Sequence, residues 1–122
     1  MDILDRVAKE TNSTRSWIIT SAIESYVMDR KWMLGKDEDV VGGAIVILYE
    51  TGHMEAEASI DRVQHEYLDQ IRATMHVHLT RDLCLEVIAI KGKLRDIKEL
   101  AQKIEGKKGI LAVKYNIHPL SE

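Results

Sequence analysis

The sequence ATMHVHLTRDLCLEVIAIK, residues 73–91, determines how the second half of the chain folds. Apolar and polar side chains alternate through residues 74–80, a period of two that is typical of a β-strand. Such a strand carries both imidazoles, His76 and His78, on one face. A polar turn and a second apolar run follow, so the stretch predicts a β-hairpin. Two histidines at this spacing can bind one metal ion.

The only cysteine of the chain, Cys84, follows the turn, and the loop length decides whether it lies beside the histidines. A two-residue turn would pair Thr80 with Leu83 and place Cys84 on the apolar face. A three-residue loop over residues 81–83 would pair Thr80 with Cys84 and His78 with Glu86, which places the thiol on the histidine face. We favour the three-residue loop. A thiolate beside two imidazoles suits a borderline or soft divalent ion better than calcium or magnesium.

Length and composition limit what such a site can serve. The chain has 122 residues, 45% of them hydrophobic and 30% charged, enough for one core and a small appendage. A net charge of −3 and a pI near 6.0 give no general attraction for nucleic acid, so DNA binding would need a local basic patch or a multimer. A lone cysteine and the lack of a long apolar run in the sequence predict a cytoplasmic protein without a membrane partner.

The pattern from Val40 onward predicts the order strand, helix, strand, strand, helix, strand. Besides the hairpin, the predicted elements are a strand at 40–50, helices at 54–72 and 94–104, and a strand at 110–117. This order defines an α+β, ferredoxin-like βαββαβ domain, an antiparallel sheet with both helices on one face. We expect His76 and His78 on the opposite face, where packing between subunits would bury them.

His65 is a candidate fourth ligand. It lies roughly 140° from Ile60 around the predicted helix, away from the apolar stripe that packs on the sheet. His65 would therefore reach a neighbouring subunit more easily than its own hairpin.

The first thirty residues predict two short helices separated by a polar turn at residues 11–14, and helices of this size need a partner, most simply another copy of the chain. The second helix opens with Arg15 and Ser16, and this segment resembles the ribbon-helix-helix DNA-binding family. The resemblance implies that Arg15 and Ser16 contact DNA. The base-reading strand of that family would precede the first helix, and the sequence leaves open a truncated product, an unusual start or a member that has lost DNA reading. Trp17 and Ser21 also stand where members of the family often carry carboxylates, so our hypothesis is that operator recognition is altered or lost. The predicted domains are 1–34, a linker at 35–39, and 40–122.

Residues 40–117 resemble the regulatory domain of the NikR family of nickel-responsive repressors, an ACT-like variant of the ferredoxin fold. The resemblance rests on Gln64-His65, His76-Val77-His78 and Cys84-Leu85-Glu86. It implies that His76, His78 and Cys84 of one subunit and His65 of another bind one Ni(II) per subunit in a square plane. It also implies a homotetramer, a dimer of dimers with the metal domains at its centre, that couples nickel to operator DNA.

Further expectations concern the surroundings of the ion and the class of protein. Tyr49 and Glu86 are candidates to hydrogen-bond the metal-bound imidazoles, which usually donate their other N–H group. An enzyme would need a nucleophile or an acid–base pair beside an open metal position, and four protein donors in a plane give little reason to expect one, so we do not expect an enzyme. The alternatives are an ACT-type module that binds a small ligand and a metal-storage module, both without DNA binding.

Overall fold

The structure is a computed structural model that describes residues 2–120. The chain divides between Lys31 and Trp32 into two compact units. Among the described residues, no helix is both long and apolar enough to cross a membrane.

The first unit contains helices α1 (Ile3–Glu10) and α2 (Arg15–Arg30). The carboxylate of Asp2 accepts a hydrogen bond from the backbone of Asp5 and caps α1, while the hydroxyl of Thr14 accepts from the backbone of Trp17 and caps α2. Both predicted helices are therefore present, on either side of the predicted turn. Neither helix buries a residue within the described chain, and apolar side chains such as Ile3 and Val7 are exposed.

The second unit is a four-stranded antiparallel sheet with the strand order β2-β3-β1-β4. After a short 3₁₀ helix (Lys31–Leu34), its elements follow in the order β1 (Val40–Glu50), α3 (Met54–Glu66), β2 (Ile71–His78), β3 (Leu83–Lys93), α4 (Leu94–Ile104) and β4 (Ile110–Pro119). The predicted α+β, ferredoxin-like βαββαβ fold is confirmed.

Both helices of this unit cover one face of the sheet. Ten apolar residues recur at helical spacing in the two predicted helices, and nine of them are buried: Leu94, Ile97, Leu100, Ala101 and Ile104 in α4, and Ala56, Ile60, Val63 and Tyr67 in and just after α3. The tenth, Ile71, is partly buried and begins β2. The nine buried residues pack in one cluster with the sheet residues Ile45, Ile47 and Ile88. Fully burying such aliphatic side chains contributes about 1.5–3 kcal/mol each to folding.

Helix α3 ends earlier than the sequence predicts. The periodicity predicted a helix to residue 72, but α3 ends at Glu66 and Ile71 begins β2. The backbone N–H groups of Gln70 and Ile71 both bond to the carbonyl of Tyr67, which closes a turn. The carbonyl of Gln70 then accepts from Lys91 in the sheet, so sheet pairing takes over residues whose apolar spacing also suits a helix.

The hairpin has the predicted parity but a different register. Residue His78 pairs with Cys84, and His76 pairs with Glu86; the predicted partners, Thr80 for Cys84 and Glu86 for His78, were wrong by two positions. The observed loop comprises residues 80–82, since the backbone N–H of Leu79 donates to the carbonyl of Leu83. The hydroxyl of Thr80 accepts from the backbone N–H groups of Asp82 and Leu83 and closes this loop. Because the error is an even number, Cys84 still lies on the histidine face.

The prediction that the histidines face away from the helices was wrong. Directly paired residues point to the same side of a sheet, and Cys84 and Glu86 point to the helix-covered side, where both are buried. His76 and His78 therefore share the helix-covered face, at its edge. Over β1, β2 and β3 the other face carries small and apolar side chains, partly or largely exposed in the single chain, while β4 adds the polar Lys114 and Asn116 at one side. We call the apolar part of this face the open face: Ala44, Val46, Leu48, Met75, Val77, Leu85, Val87 and Ala89.

The segment 32–39 packs with the second unit. Trp32 is buried against Tyr115, with ring centroids 5.7 Å apart. The carbonyls of Asp39 and Asp37 accept from the first backbone N–H groups of α4, and Glu38 forms ion pairs with Lys93 and Arg95. Two of the five residues of the predicted linker, Asp37 and Asp39, thus cap α4 through their carbonyls. The N-cap residue of α4, Lys93, makes no side-chain capping bond.

Candidate metal centre

Three of the four predicted ligands lie together at the free end of the hairpin. One ligand atom from each of His76, His78 and Cys84 can be chosen so that all three lie within 4.8 Å of one another. The register explains this proximity, since His78 is directly opposite Cys84 and His76 is two residues before it on the same strand. The sulfur of Cys84 lies 3.2 Å from Nδ1 of His78, and the two imidazole centroids are 4.8 Å apart.

The donor separations fit a single divalent ion. Bonds of about 2.1 Å to nitrogen and about 2.3 Å to sulfur place neighbouring donors of one ion about 3 Å apart and opposite donors about 4 Å apart. The observed separations lie near this range. Imidazole and thiolate donors favour zinc, copper or nickel over calcium and magnesium. The residues present therefore fit a nickel ion in their chemistry and spacing.

The three donors differ in their access to solvent. Cys84 is buried, with 1% of its surface exposed, and the side chain of His76 is 47% exposed. This difference follows from the strand order, because β2 lies at the edge of the sheet and β3 lies inside it. An ion held by these donors would have a buried side at the sulfur and an open side toward solvent.

His65 does not join this group in the single chain. It lies on α3 and is exposed, and the clustered donors found among residues 2–120 do not include it. Its exposed imidazole agrees with the predicted position of His65 away from the apolar stripe of the helix.

Both nitrogens of His76 have polar neighbours. The hydroxyl of Tyr49 lies 3.4 Å from Nε2, and the carboxylate of Glu86 lies 3.6 Å from Nδ1. These are the two residues predicted to surround the ligands. An ion bound at either nitrogen of His76 would leave the other nitrogen next to a partner that fixes the ring.

Burial shifts the pKa values of both neighbours. The pKa of Glu86 is raised because its carboxylate is desolvated, and the hydrogen bond from Gln64 opposes this shift. Desolvation and the charge of Glu86 also raise the pKa of Tyr49. Tyr49 is therefore a neutral hydrogen-bonding group at physiological pH.

Two further residues contact this group and had no predicted role. The amide of Gln64 on α3 donates to Glu86 at 2.9 Å, and the hydroxyl of Thr51 lies 3.1 Å from the sulfur of Cys84. Gln64 precedes His65 in the quoted motif, but only the fold shows what its side chain contacts. Thr51 follows β1, and its position becomes visible once Tyr49 is known to pair with Cys84.

A cavity of about 360 Å³ adjoins His76 between α3 and the strands. Its lining includes the carboxylates of Glu57, Asp61 and Glu86. Glu57 accepts a hydrogen bond from the backbone of Gly52 at the start of α3.

The predicted DNA-contacting residues lie at the start of α2. The guanidinium of Arg15 forms ion pairs with Asp2 and Asp5, and the hydrogen bond with Asp5 is the main cause of a raised Arg15 pKa. Ser16 is exposed. A phosphate contact by Arg15 would have to compete with these two carboxylates.

The fold and the donor cluster define the class of this protein: a ferredoxin-like domain with a candidate metal site of imidazole and thiol groups on a β-hairpin, preceded by a helical unit. Residues 42–118 match the family model described as the NikR C-terminal nickel-binding domain, and the chain belongs to this family.

Similar proteins share most of the chain. A protein of Pyrococcus abyssi named "Putative nickel-responsive regulator" is 36% identical over 111 residues, which are 90% of this chain and 79% of that protein. A protein of Methanocella arvoryzae with the same name is 34% identical over 117 residues, 93% of this chain and 83% of that one. In fold, the chain is similar to the uncharacterized protein TM1266 of Thermotoga maritima, with a TM-score of 0.54 and 15% identity over 68% of this chain and 98% of that one.

Proposed function

We propose that this protein is a nickel-responsive transcriptional regulator. His76, His78 and Cys84 of one subunit and His65 of another bind one Ni(II) per subunit, and the ion biases the helical units toward or away from operator DNA. The observation that carries the proposal is the convergence of two imidazoles and one thiol on a hairpin within a nickel-binding family.

The donor chemistry supports nickel in a plane of four ligands. Square-planar sites of nitrogen and sulfur donors suit Ni(II) and Cu(II), whereas Zn(II) prefers a tetrahedron. Three donors from one chain leave one position to fill. Raw affinity would favour copper over nickel, so selectivity rests on geometry and on metal supply.

Self-association would supply the fourth donor. The open face of the sheet is apolar and uncovered in the single chain, and large apolar patches favour interfaces between subunits. His65 is exposed on α3, where a neighbouring subunit can reach it. A homotetramer built as a dimer of dimers would bury the open face and bring His65 to a second hairpin.

Coupling to DNA would follow from shared binding across the interface. An ion that binds only the assembled arrangement shifts the population toward that arrangement. The helical units, which carry Arg15 and Ser16, would then be held at one spacing. Because Arg15 is engaged by Asp2 and Asp5, we propose that operator recognition by this chain is altered or lost while nickel sensing is retained.

The first experiment is a nickel titration followed by absorption spectroscopy and light scattering. We expect one Ni(II) per chain, a thiolate-to-nickel charge-transfer band and a planar d–d spectrum in a tetramer. The variants His76→Ala and Cys84→Ala should lose the band, and the surface variant His118→Ala should keep it. Octahedral spectra, or unchanged binding by the first two variants, would reject the site.

Mixed tetramers test whether the ligands are shared. The variants His65→Ala and His76→Ala each lose their sites alone. In a mixture, the intact hairpin of the first subunit can combine with His65 of the second, so about half of the nickel capacity of each mixed pair should return. No recovery after verified subunit exchange would contradict ligand sharing.

Operator recognition needs a separate test. Selection from a random pool of DNA duplexes, with and without nickel, should yield no nickel-dependent consensus for this polypeptide. Replacement of both Asp2 and Asp5 by Asn frees Arg15 and should raise non-specific DNA affinity. Tight, nickel-dependent selection of one DNA sequence by the parent protein would refute the loss of operator recognition. It would leave the proposed nickel site unaffected.

A further inference from the structure

Thr51 directly follows β1, and its hydroxyl contacts the buried sulfur of Cys84. Its oxygen lies 3.1 Å from the sulfur, and Nδ1 of His78 lies 3.2 Å from the same atom. In the metal-free protein, the hydroxyl can donate to the sulfur while the thiol donates to His78. All three groups then share one directional chain of hydrogen bonds.

Metal binding would change the charge of the sulfur and the hydrogen bonds that stabilise it. If Cys84 binds the ion as a thiolate, its proton would be released to solvent and its sulfur would carry negative charge at a position that is 1% exposed. His78, as a ligand of the same ion, would then no longer accept a hydrogen bond from the thiol. Buried charge is costly unless it receives hydrogen bonds. The hydroxyl of Thr51 remains as a donor to the lone pairs of sulfur that do not bind the ion.

The backbone holds Thr51 in this position. Its N–H group donates to the carbonyl of Asp82 in the hairpin loop at 2.9 Å, and the next residue, Gly52, has a φ of 75° and bonds to Glu57 at the start of α3. The turn after β1 is thus tied to the hairpin and to α3. Thr51 is not free to rotate away with a mobile loop.

We infer that Thr51 is a positioning residue of the metal centre: its hydroxyl donates a hydrogen bond to the metal-bound thiolate of Cys84 and tunes the electron donation of sulfur to the ion. This inference rests on the proposed function, since it requires Cys84 to be a ligand. It predicts a spectroscopic effect because a hydrogen bond lowers the energy of the sulfur lone pairs and weakens their donation to the metal.

The test compares Thr51→Val, which keeps the shape and removes the hydroxyl, with Thr51→Ser, which keeps the hydroxyl. In Thr51→Val, the thiolate-to-nickel charge-transfer band should move to longer wavelength and nickel affinity should fall about tenfold, as is typical when an outer partner of a ligand is lost. Thr51→Ser should restore both toward the parent values. Thr51→Ala provides a second hydroxyl-free variant if valine disturbs the turn, and far-UV circular dichroism checks the fold.

The possible failures are distinguishable. If the parent shows the band, Cys84→Ala loses it, and Thr51→Val leaves both the band position and the affinity unchanged, the inference is wrong and the nickel site stands. If both Thr51→Val and Thr51→Ser weaken binding equally without a band shift, Thr51 acts only through the turn and the inference is also wrong. If the parent shows no band that depends on Cys84, the proposed function itself fails.

Discussion

Removal of the Gln64 amide tests how α3 supports the metal centre. The side chain of Glu86 is 6% exposed, and Gln64 donates to its carboxylate at 2.9 Å. Gln64→Leu keeps most of the volume of the side chain and removes the donor. In this variant the carboxylate of Glu86 would still lie 3.6 Å from the imidazole of His76, but it would have little contact with water.

The expected cost follows from the chemistry of this bond. A hydrogen bond to a charged group contributes about 1.5–3 kcal/mol, and a buried group left without its partner loses that contribution. Gln64→Leu should therefore lower the free energy of unfolding of the metal-free protein at neutral pH by about 2 kcal/mol. Gln102→Leu, at an exposed position on α4, is the matched control and should change it by less than about 0.5 kcal/mol.

Urea unfolding of a double-mutant cycle measures the pair directly. The cycle uses Gln64→Leu, Glu86→Gln and the combined variant, with tertiary structure followed by near-UV circular dichroism. We expect a coupling of about 1–2 kcal/mol between the two changes, since the amide no longer matters as much once the charge is removed. Additivity within about 0.5 kcal/mol would refute the reasoning, because independent sites add to that precision.

Three further predictions address the rest of the second unit. Glu38→Gln should destabilise the protein at neutral pH and lose its effect in acid. The hydrogen bond with Lys93 is the main cause of a lowered Glu38 pKa, so this stability is present above the ordinary carboxyl pKa of 4.5 and is lost as the pH falls through the lowered pKa of the folded protein. Thermal unfolding at several pH values measures this dependence. Gly43→Ala should cost more than about 2 kcal/mol in urea unfolding, because its Cβ atom would overlap the carbonyl oxygen of Asn116 on β4. Val87→Lys, at the centre of the open face, should dissociate the proposed tetramer in light scattering, and an unchanged mass would argue against burial of that face.

The sequence predicted the elements and the donors better than it predicted the faces. The apolar positions of α4 are unambiguous because charged residues separate them, and all five are buried. In β3, by contrast, Leu85, Val87 and Ala89 are as apolar as Ile88 and Ile90 on the opposite side. Such a pattern does not tell which face the helices cover, and the buried charge of Glu86 reverses the usual expectation that carboxylates face solvent.

The parity of the hairpin was predictable and its register was not. Either of two three-residue loops places Cys84 on the histidine face, and the choice depends on the hydroxyl of Thr80, which closes the loop through two backbone N–H groups. The difference matters for chemistry, since the observed register sets Cys84 directly across from His78. A pairing shifted by two residues would have placed the thiol farther from both imidazoles.

Two consecutive residues of α3, Gln64 and His65, face different parts of the proposed tetramer. Gln64 points to the chain's own sheet and holds Glu86 beside His76, whereas His65, about 100° further around the helix, is exposed. If His65 binds the ion of another subunit as proposed, α3 supports the metal site of its own chain through Gln64 and completes the metal site of the neighbouring subunit through His65. A shift of α3 that strains the bond of Gln64 would then also move the ligand of the neighbouring ion. Gln64→Leu should accordingly weaken nickel binding in a tetramer by more than the loss of one hydrogen bond within a single chain would explain. The mixed-subunit titration separates the effect on the chain's own site from the effect on the site that its His65 completes.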